Sequence, residues 1–147
     1  MARQHDARLR RGALVDAAAP VKYRHAFEVR HPSYFHEEFY SLLREHRCGF
    51  VIADTAGKFP YAEQVTAEFV YVRLHGSQQL YASGYTDEEL DVWAQRCSGW
   101  RSEGGGAHDV YVYFDNDAKV HAPYDALRLA ERLGVGPAVG HSSVNRS

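Results

Sequence analysis

The sequence predicts an α/β fold built on a parallel sheet, and three observations carry this prediction. Four short runs of β-branched and aromatic residues have the composition of buried strands. Segments with helical periodicity lie between these runs, and strands that alternate with helices indicate parallel pairing with right-handed crossovers. The 147 residues suit one domain. They are too few for a complete barrel of eight strand–helix units, which needs about 250 residues.

Each predicted strand ends in polar residues. The four runs are residues 26–30, 50–54, 69–75 and 110–115. Side chains alternate across a strand, so residues two apart share a face. In the first, third and fourth runs, one face therefore collects the polar and aromatic residues: Glu28, Arg30, Tyr71, Arg73, His75, Tyr111, Tyr113 and Asp115.

Three helices are predicted between and after these strands. Their apolar faces are Phe35, Phe39, Leu42 and Leu43; Leu90, Trp93, Cys97 and Trp100; and Leu127, Leu129, Ala130 and Leu133. The second helix begins at Thr86, because Thr86 and Glu89 have the spacing of a capping box. Gly134 has the position of a C-terminal cap for the third. The connection over residues 57–68 is short for a parallel crossover and leaves room for a single helical turn.

Composition narrows the classes of function. The formal net charge is −2 and the pI is about 6.5, so the chain has no overall positive charge to attract nucleic acid. Nucleic acid is therefore a disfavoured partner. No apolar run is long enough for a membrane span, and the first residues lack the apolar core of a secretory signal. The two cysteines, Cys48 and Cys97, need no disulfide in a chain of this size. We therefore expect reduced thiols and a cytoplasmic location without membrane partners.

Charged residues fall toward the C-terminal ends of the predicted strands, the rim where ligands bind in parallel α/β folds. The candidate constellation consists of six residues: Glu28, Arg30, Asp54, Arg73, His75 and Asp115. We predict His75, Asp54 and Glu28 as catalytic, with His75 as general acid or base because its charge changes near neutral pH. Arg30 and Arg73 could grip a phosphate or carboxylate. The alternative is an ion-pair layer that orients the strands and binds nothing.

Further residues beside the rim complete the predicted ligand-binding set. Tyr81 and Tyr85, in the loop after the third strand, could stack on a sugar or a base, or simply cover the mouth of the fold. His31 and Asn116 adjoin Arg30 and Asp115 in the sequence. The run 115–117 could bind magnesium, but a strand-to-helix turn is the preferred interpretation. His31 and His36 fit no zinc motif, so we predict no metal site, and no cofactor is assigned.

The motifs at these positions resemble those of a known family. Residues 28–35, Glu-Val-Arg-His-Pro-Ser-Tyr-Phe, resemble the Glu-x-Arg-His-x-Ser-Trp motif of the YecE-like family, also called domain of unknown function 72. The segments 51–54, 71–76, 111–117 and 121–129 are similar to its later motifs, in the same order. The resemblance covers about residues 20–134. It implies an eight-stranded TIM-type barrel of which this chain carries the last four strand–helix units, and it implies no particular activity.

Two departures from the family pattern stand out. Tyr34 occupies a position where tryptophan is usual, and Asp115 one where asparagine is common.

With the resemblance, three segments are expected: a basic helical or linker segment over residues 1–24, a half-barrel over 25–134, and a flexible tail over 135–147. In the first segment, Arg3, Arg8, Arg10 and Arg11 predict a solvated helix face, with a phosphate-binding arm as the alternative. Residues 104–106, all glycine, predict a flexible link.

Three hypotheses of function follow. The first is an enzymatic or binding site for a small anionic or sugar-like ligand at the C-terminal rim of the strands. The second is a nucleic-acid-related barrel that uses arginines and loop tyrosines. The third is a truncated half-barrel without activity of its own. Its two open sheet edges would lead it to self-associate or to pair with a missing N-terminal half.

Overall fold

The computed structural model describes residues 23–102 and 109–135. In this part of the chain, four parallel strands form one sheet in chain order: β1 (Ala26–Phe27), β2 (Gly49–Asp54), β3 (Phe69–Leu74) and β4 (Asp109–Phe114). Three helices accompany them: α1 (Glu37–Glu45), α2 (Asp87–Ser102) and α3 (Ala122–Arg132). The predicted α/β fold with a parallel sheet is confirmed. Consecutive strands that are also neighbours in the sheet are the arrangement of a TIM-type barrel.

Helices cover one face of the sheet and form the core with it. Ile52, Val72 and Leu74 have no exposed surface, and they pack in one cluster with the apolar face of α2 and with Leu129 of α3. Leu127, which was predicted on the same face of the third helix, is 51% exposed and stays outside the core. The α2 face is the predicted one, since Leu90, Trp93, Cys97 and Trp100 are all buried. In α1 the buried residues are Tyr40 and Leu43, whereas Leu42 is half exposed. The expectation that Leu42 joins the core was therefore wrong, because it lies at the side of the buried stripe.

Helix ends follow the predicted signals. The amide of Thr86 donates to Glu89 Oε2 (2.8 Å), and the amide of Glu89 donates to Thr86 Oγ1 (3.2 Å), which is the reciprocal pair of a capping box. Gly134 follows α3 with a φ of +64°, a left-handed conformation that glycine adopts without a Cβ penalty. Both caps are confirmed.

Two local expectations differ from the structure. β1 pairs with β2 over only two residues, and the segment after it leads into a 3-10 turn at Pro32–Tyr34, where proline lacks an amide hydrogen. The connection between β2 and β3 contains no helical turn. Ala56 and Gly57 both have left-handed φ values, which reverse the chain immediately after β2. Thr66 then fixes the connection to β2, since its hydroxyl accepts from the amide of Phe50 and donates to the carbonyl of Cys48.

The second face of the sheet, which we call the inner face, is not covered by any described helix. Tyr71 and Tyr113 stack there with ring centroids 5.0 Å apart, and Tyr111 and Tyr113 are 38% and 51% exposed. In a closed barrel this face points to the interior. The described chain is thus a partial TIM-type barrel.

Some predicted features lie outside the described residues. These are the basic segment up to residue 22, the glycine link at 104–106 and the tail after residue 135. Of the helices that are described, none combines the length and the apolar character that a membrane crossing requires.

Candidate functional site

Strand alternation decides which predicted residues meet at the rim. Arg73 shares the inner face of β3 with Tyr71, and His75 continues that alternation one step beyond the strand. Asp115 follows β4 on the same side, and Glu28 follows β1. Because all four strands are parallel, these positions converge at one edge of the sheet. Glu28, Arg73, His75 and Asp115 form the cluster that we call the rim network.

Arg73 is the centre of the rim network. Its Nη1 donates to Glu28 Oε2 (2.7 Å), and its Nη2 donates to Asp115 Oδ2. Arg30 approaches Glu28 from the other side, with Nη2 2.9 Å from Oε1. Two guanidinium groups thus balance two carboxylates. The side chains of Arg73 and Asp115 are about one third exposed and that of Arg30 is 43% exposed, so the network is accessible to solvent.

His75 lies between the two carboxylates and is fully buried. Its Nδ1 is 3.1 Å from Asp115 Oδ2 and its Nε2 is 3.6 Å from Glu28 Oε1. Neither ring nitrogen has a hydrogen-bond partner among the described residues, so the approach to Asp115 is not directed as a hydrogen bond. Burial and the positive charge of Arg73 lower the pKa of His75, and the two carboxylates only partly oppose them. The ring is therefore neutral at pH 7 and can accept a proton.

Glu28 stays ionised despite its partly buried position. Burial raises its pKa, but hydrogen bonds from Arg73 and Arg30 outweigh burial and hold the pKa below its usual value.

Tyr81 closes the outer side of the site. Its ring meets that of His75 edge to face at 5.3 Å, and its backbone has a left-handed φ of +63°. Of the two predicted loop tyrosines, Tyr81 is the one that joins the network.

Three predicted residues lie on the other side of the rim. Asp54 pairs in register with Leu74, which places it on the helix-covered face. Tyr85 donates its hydroxyl to Asp54 Oδ2 (3.0 Å). Asn116 is fully buried, and its Nδ2 donates to the carbonyl of Ser83 and to Asp125 Oδ2. Tyr85 and Asn116 thus make their contacts away from the rim network, and the side chains of Asp54 and His75 lie on opposite faces of the sheet, although the His75 amide donates to the Asp54 carbonyl (3.0 Å).

His31 caps the 3-10 turn and stands apart from the rim network. Its Nδ1 accepts from the amide of Ser33 (3.3 Å) and lies 2.8 Å from the Ser33 hydroxyl. No group of three or more His, Cys, Asp or Glu side chains within 23–102 and 109–135 is arranged to hold a metal ion. The run 115–117 leads into a 3-10 turn at Asp117–Lys119. The preferred strand-to-helix turn therefore has its counterpart in the structure.

Comparison with known proteins bears on the family and the fold of the chain. The family described as "Protein of unknown function DUF72" matches residues 2–145. The chain belongs to this family. The resemblance drawn from the strand-end motifs is confirmed, because YecE-like is another name for the DUF72 family.

Solved DUF72 structures share the fold. A DUF72 protein from Thermotoga maritima is 30% identical, with a TM-score of 0.69, and the match covers 76% of this chain and 46% of that one. A DUF72 protein from Enterococcus faecalis is 20% identical, with a TM-score of 0.67, and the match covers 76% and 48%. The chain thus spans about half the length of these relatives. No curated protein matches it.

Asp125 of this DUF72 chain was not predicted from the sequence, although it anchors the segments that follow β3 and β4. Asp125 is 3% exposed, and it accepts hydrogen bonds from Asn116, from the amide of Tyr85 and from Arg128. A signal for it was present. Asp125 shares a helix face with Ala122 and Leu129 at i, i+3 and i+7, and a carboxylate on an apolar face needs a buried partner.

Proposed function

We propose that the rim network and the adjoining inner face form a binding site for a small sugar-like ligand, with the arrangement of an acid–base enzyme site. The fork that Arg73 makes with Glu28 and Asp115, which Arg30 brings to charge balance, carries this proposal. It opens toward a cavity of about 440 Å³, which Tyr71, Tyr111 and Tyr113 line. Carboxylates and a guanidinium beside aromatic rings offer hydrogen bonds to hydroxyl groups and an apolar surface for a sugar ring.

The charge of the rim network favours a neutral ligand over an anion. Arg73 uses both terminal nitrogens on carboxylates, and Arg30 is held by Glu28. No guanidinium of the network is therefore left without a carboxylate, whereas a phosphate site requires uncompensated positive charge. An anion would have to compete with Glu28 and Asp115 for the same donors.

Each residue of the proposed site has a role. Asp115 and Arg73 contact the ligand, since both keep part of their side chains exposed. Glu28 fixes Arg73 and Arg30, and His75 is the proton acceptor. Because the ring of His75 is buried behind Tyr81, movement of Tyr81 would have to accompany any direct proton transfer to a ligand.

The experiment is a ligand titration of the purified chain by saturation-transfer NMR with D-ribose, ribose 5-phosphate and inorganic phosphate. We expect binding of ribose, loss of that binding in Asp115→Asn and Arg73→Ala, and unchanged binding in Arg44→Ala, which removes an exposed ion pair elsewhere. Binding of phosphate without ribose would overturn the sugar assignment. Salt-dependent binding of short single-stranded DNA, with no binding of ribose, would favour the nucleic-acid alternative.

We also propose that a second copy of this chain closes the barrel opposite the inner face and leaves the rim network accessible from the C-terminal end of the strands. β1 and β4 are the outer strands of the described sheet, and three tyrosines of β3 and β4, which are Tyr71, Tyr111 and Tyr113, stay partly exposed on the inner face. A two-fold axis along the strands would place β4 of each copy beside β1 of the other and close eight parallel strands. Analytical ultracentrifugation tests this, and a monomer at micromolar concentration would contradict it.

The cytoplasmic location stays a proposal that the thiols support. Cys97 is buried and Cys48 half-buried, and both are free. Burial raises the pKa of the Cys97 thiol to about 11, which keeps it protonated and unreactive. Free thiols are typical of reducing compartments. Localisation of a tagged chain by cell fractionation tests the proposal, and recovery outside the cytoplasm would overturn it.

A further inference from the structure

We infer that a second cavity, on the helix-covered side of the rim, binds an organic ammonium ion. The cavity, which we call the α2 pocket, lies between α2 and the connection that follows β2 and measures about 360 Å³. Asp54 stands at the end of β2, and Glu89, Trp93 and Arg96 come from α2. The inference is independent of the sugar site, because Asp54 and the rim network lie on opposite faces of the sheet.

Aromatic rings form much of the wall of the α2 pocket. Phe59, Tyr61, Tyr85 and Trp93 all line it. Two of these rings already have a cation over them. The Arg96 guanidinium lies 4.6 Å from the centroid of Trp93, and the Arg30 guanidinium lies 4.9 Å from that of Phe59. Aromatic walls that attract cations are the basis of ammonium recognition in proteins.

The carboxylates of the α2 pocket lack a cationic partner. Within the described residues, neither Asp54 nor Glu89 forms an ion pair. Asp54 accepts from the Tyr85 hydroxyl and the amide of Ala56, and Glu89 accepts from the amide of Thr86. Glu28 in the rim network differs, since two arginines compensate it. Burial raises the pKa of Asp54 and the nearby Glu89 acts in the same direction, although hydrogen bonds from Tyr85 and Ala56 and the charge of Arg96 oppose them. An ammonium ligand would supply the missing positive charge.

Arg96 also lines the pocket and lowers the pKa of Asp54, but it offsets the two carboxylates only in part. Its Nη2 pairs with Glu63 Oε1 at 3.2 Å, so its own charge is compensated outside the pair formed by Asp54 and Glu89. Glu63 also accepts from the Tyr61 hydroxyl at 2.6 Å, which fixes one aromatic wall. The α2 pocket is therefore net negative and aromatic, and this combination selects a cation over a neutral molecule of the same shape.

The test is isothermal titration calorimetry of the full chain with choline and with 3,3-dimethylbutan-1-ol, the uncharged carbon analogue of choline. We expect choline to bind about tenfold more tightly than the analogue, because the charge contributes through Asp54 and the rings. Absence of choline binding, or equal affinity for the two molecules, would overturn the inference.

Two variants locate the site, each with a matched control. Asp54→Asn should weaken choline binding about tenfold, whereas Glu88→Gln, an exposed carboxylate in the first turn of α2, should leave it unchanged. Tyr61→Leu should weaken binding, whereas Tyr34→Leu should not, although the two tyrosines are 45% and 46% exposed. Circular dichroism verifies folding. Choline binding that persists in both folded Asp54→Asn and folded Tyr61→Leu would place the cation elsewhere and refute the inference.

Discussion

His75 shows how the surroundings of one residue determine its chemistry. Two carboxylates within 3.6 Å would by themselves hold an imidazole in its charged form. Here the ring is fully buried and Arg73 lies beside it, so the pKa is lowered in spite of both carboxylates. A neutral imidazole ring is a proton acceptor, which is the property that the proposed site requires.

The first prediction concerns the titration of His75. Its pKa, measured by NMR of labelled histidine, should lie below the ordinary value for histidine. Arg73→Gln should raise it, because removal of the guanidinium deletes a repulsive charge and leaves Glu28 and Asp115 without their shared partner. Arg44→Gln, which lies in an exposed pair with Glu37, is the control and should change nothing. A pKa at or above the ordinary value in the unaltered chain would contradict the proposed neutral state.

The face on which each rim residue lies can be predicted from the sequence only if the strand alternation is continued past the last residue of the strand. Asp115 and Asn116 are adjacent, yet Asp115 pairs with Arg73 on the inner face and Asn116 is buried against Asp125. The same alternation separates Asp54 from His75. The sequence identified all of these as polar strand ends. These polar residues divide between two faces of the sheet, and therefore between the two proposed sites, according to the strand alternation.

At the scale of elements, the loop between β3 and α2 depends on α3. Asp125 accepts from the amide of Tyr85 (3.1 Å), and Arg128 donates to the carbonyl of the same residue (2.9 Å). Asn116 joins the loop from the other end, through the carbonyl of Ser83. The loop carries Tyr81 over the rim network and Tyr85 into the α2 pocket. The positions of Tyr81 and Tyr85, and with them both proposed sites, therefore depend on the contacts of this loop with α3.

The second prediction follows from this anchoring. Asp125→Ala should lower the free energy of unfolding by about 3 kcal/mol, because it leaves three donors from Tyr85, Asn116 and Arg128 without their buried acceptor. Urea denaturation followed by circular dichroism measures the change. Glu131→Ala, at an exposed position of the same helix, should stay within about 0.5 kcal/mol of the unaltered chain. Equal effects of the two substitutions would show that the network does not hold the loop.

Whole elements were easier to predict than their edges. The β-branched and aromatic runs identified β2, β3 and β4, and the capping box set the start of α2. β1 was predicted too long, since an edge strand has a partner on one side only and its ladder ends at Phe27. Leu42 was assigned to the core because helical spacing defines a face only to within one neighbouring residue. Packing against Phe50 then buried Tyr40 instead.

At the scale of the whole molecule, the inner face predicts association. Tyr113→Asp should shift the proposed dimer to monomer, because it puts a charge into a surface that the second copy would cover. Tyr124→Asp is the control, since Tyr124 is 66% exposed on α3, outside the inner cavity, and should leave the association unchanged. Sedimentation velocity at several concentrations measures both. A dimer that survives Tyr113→Asp would show that another surface associates.

The sequence by itself determined the alternation of strands and helices, the family, and the face on which most strand residues lie, because these depend on neighbours a few residues apart. Only the tertiary structure decided which charges pair. Arg73 joins Glu28 and Asp115 across 45 and 42 residues of chain, and that pairing depends on the register of four parallel strands. The same register buries His75 and places Asp54 on the opposite face, where it forms no ion pair with any of the residues in 23–102 and 109–135. Burial and partnership over such separations are properties of the assembled sheet, since no local periodicity specifies them.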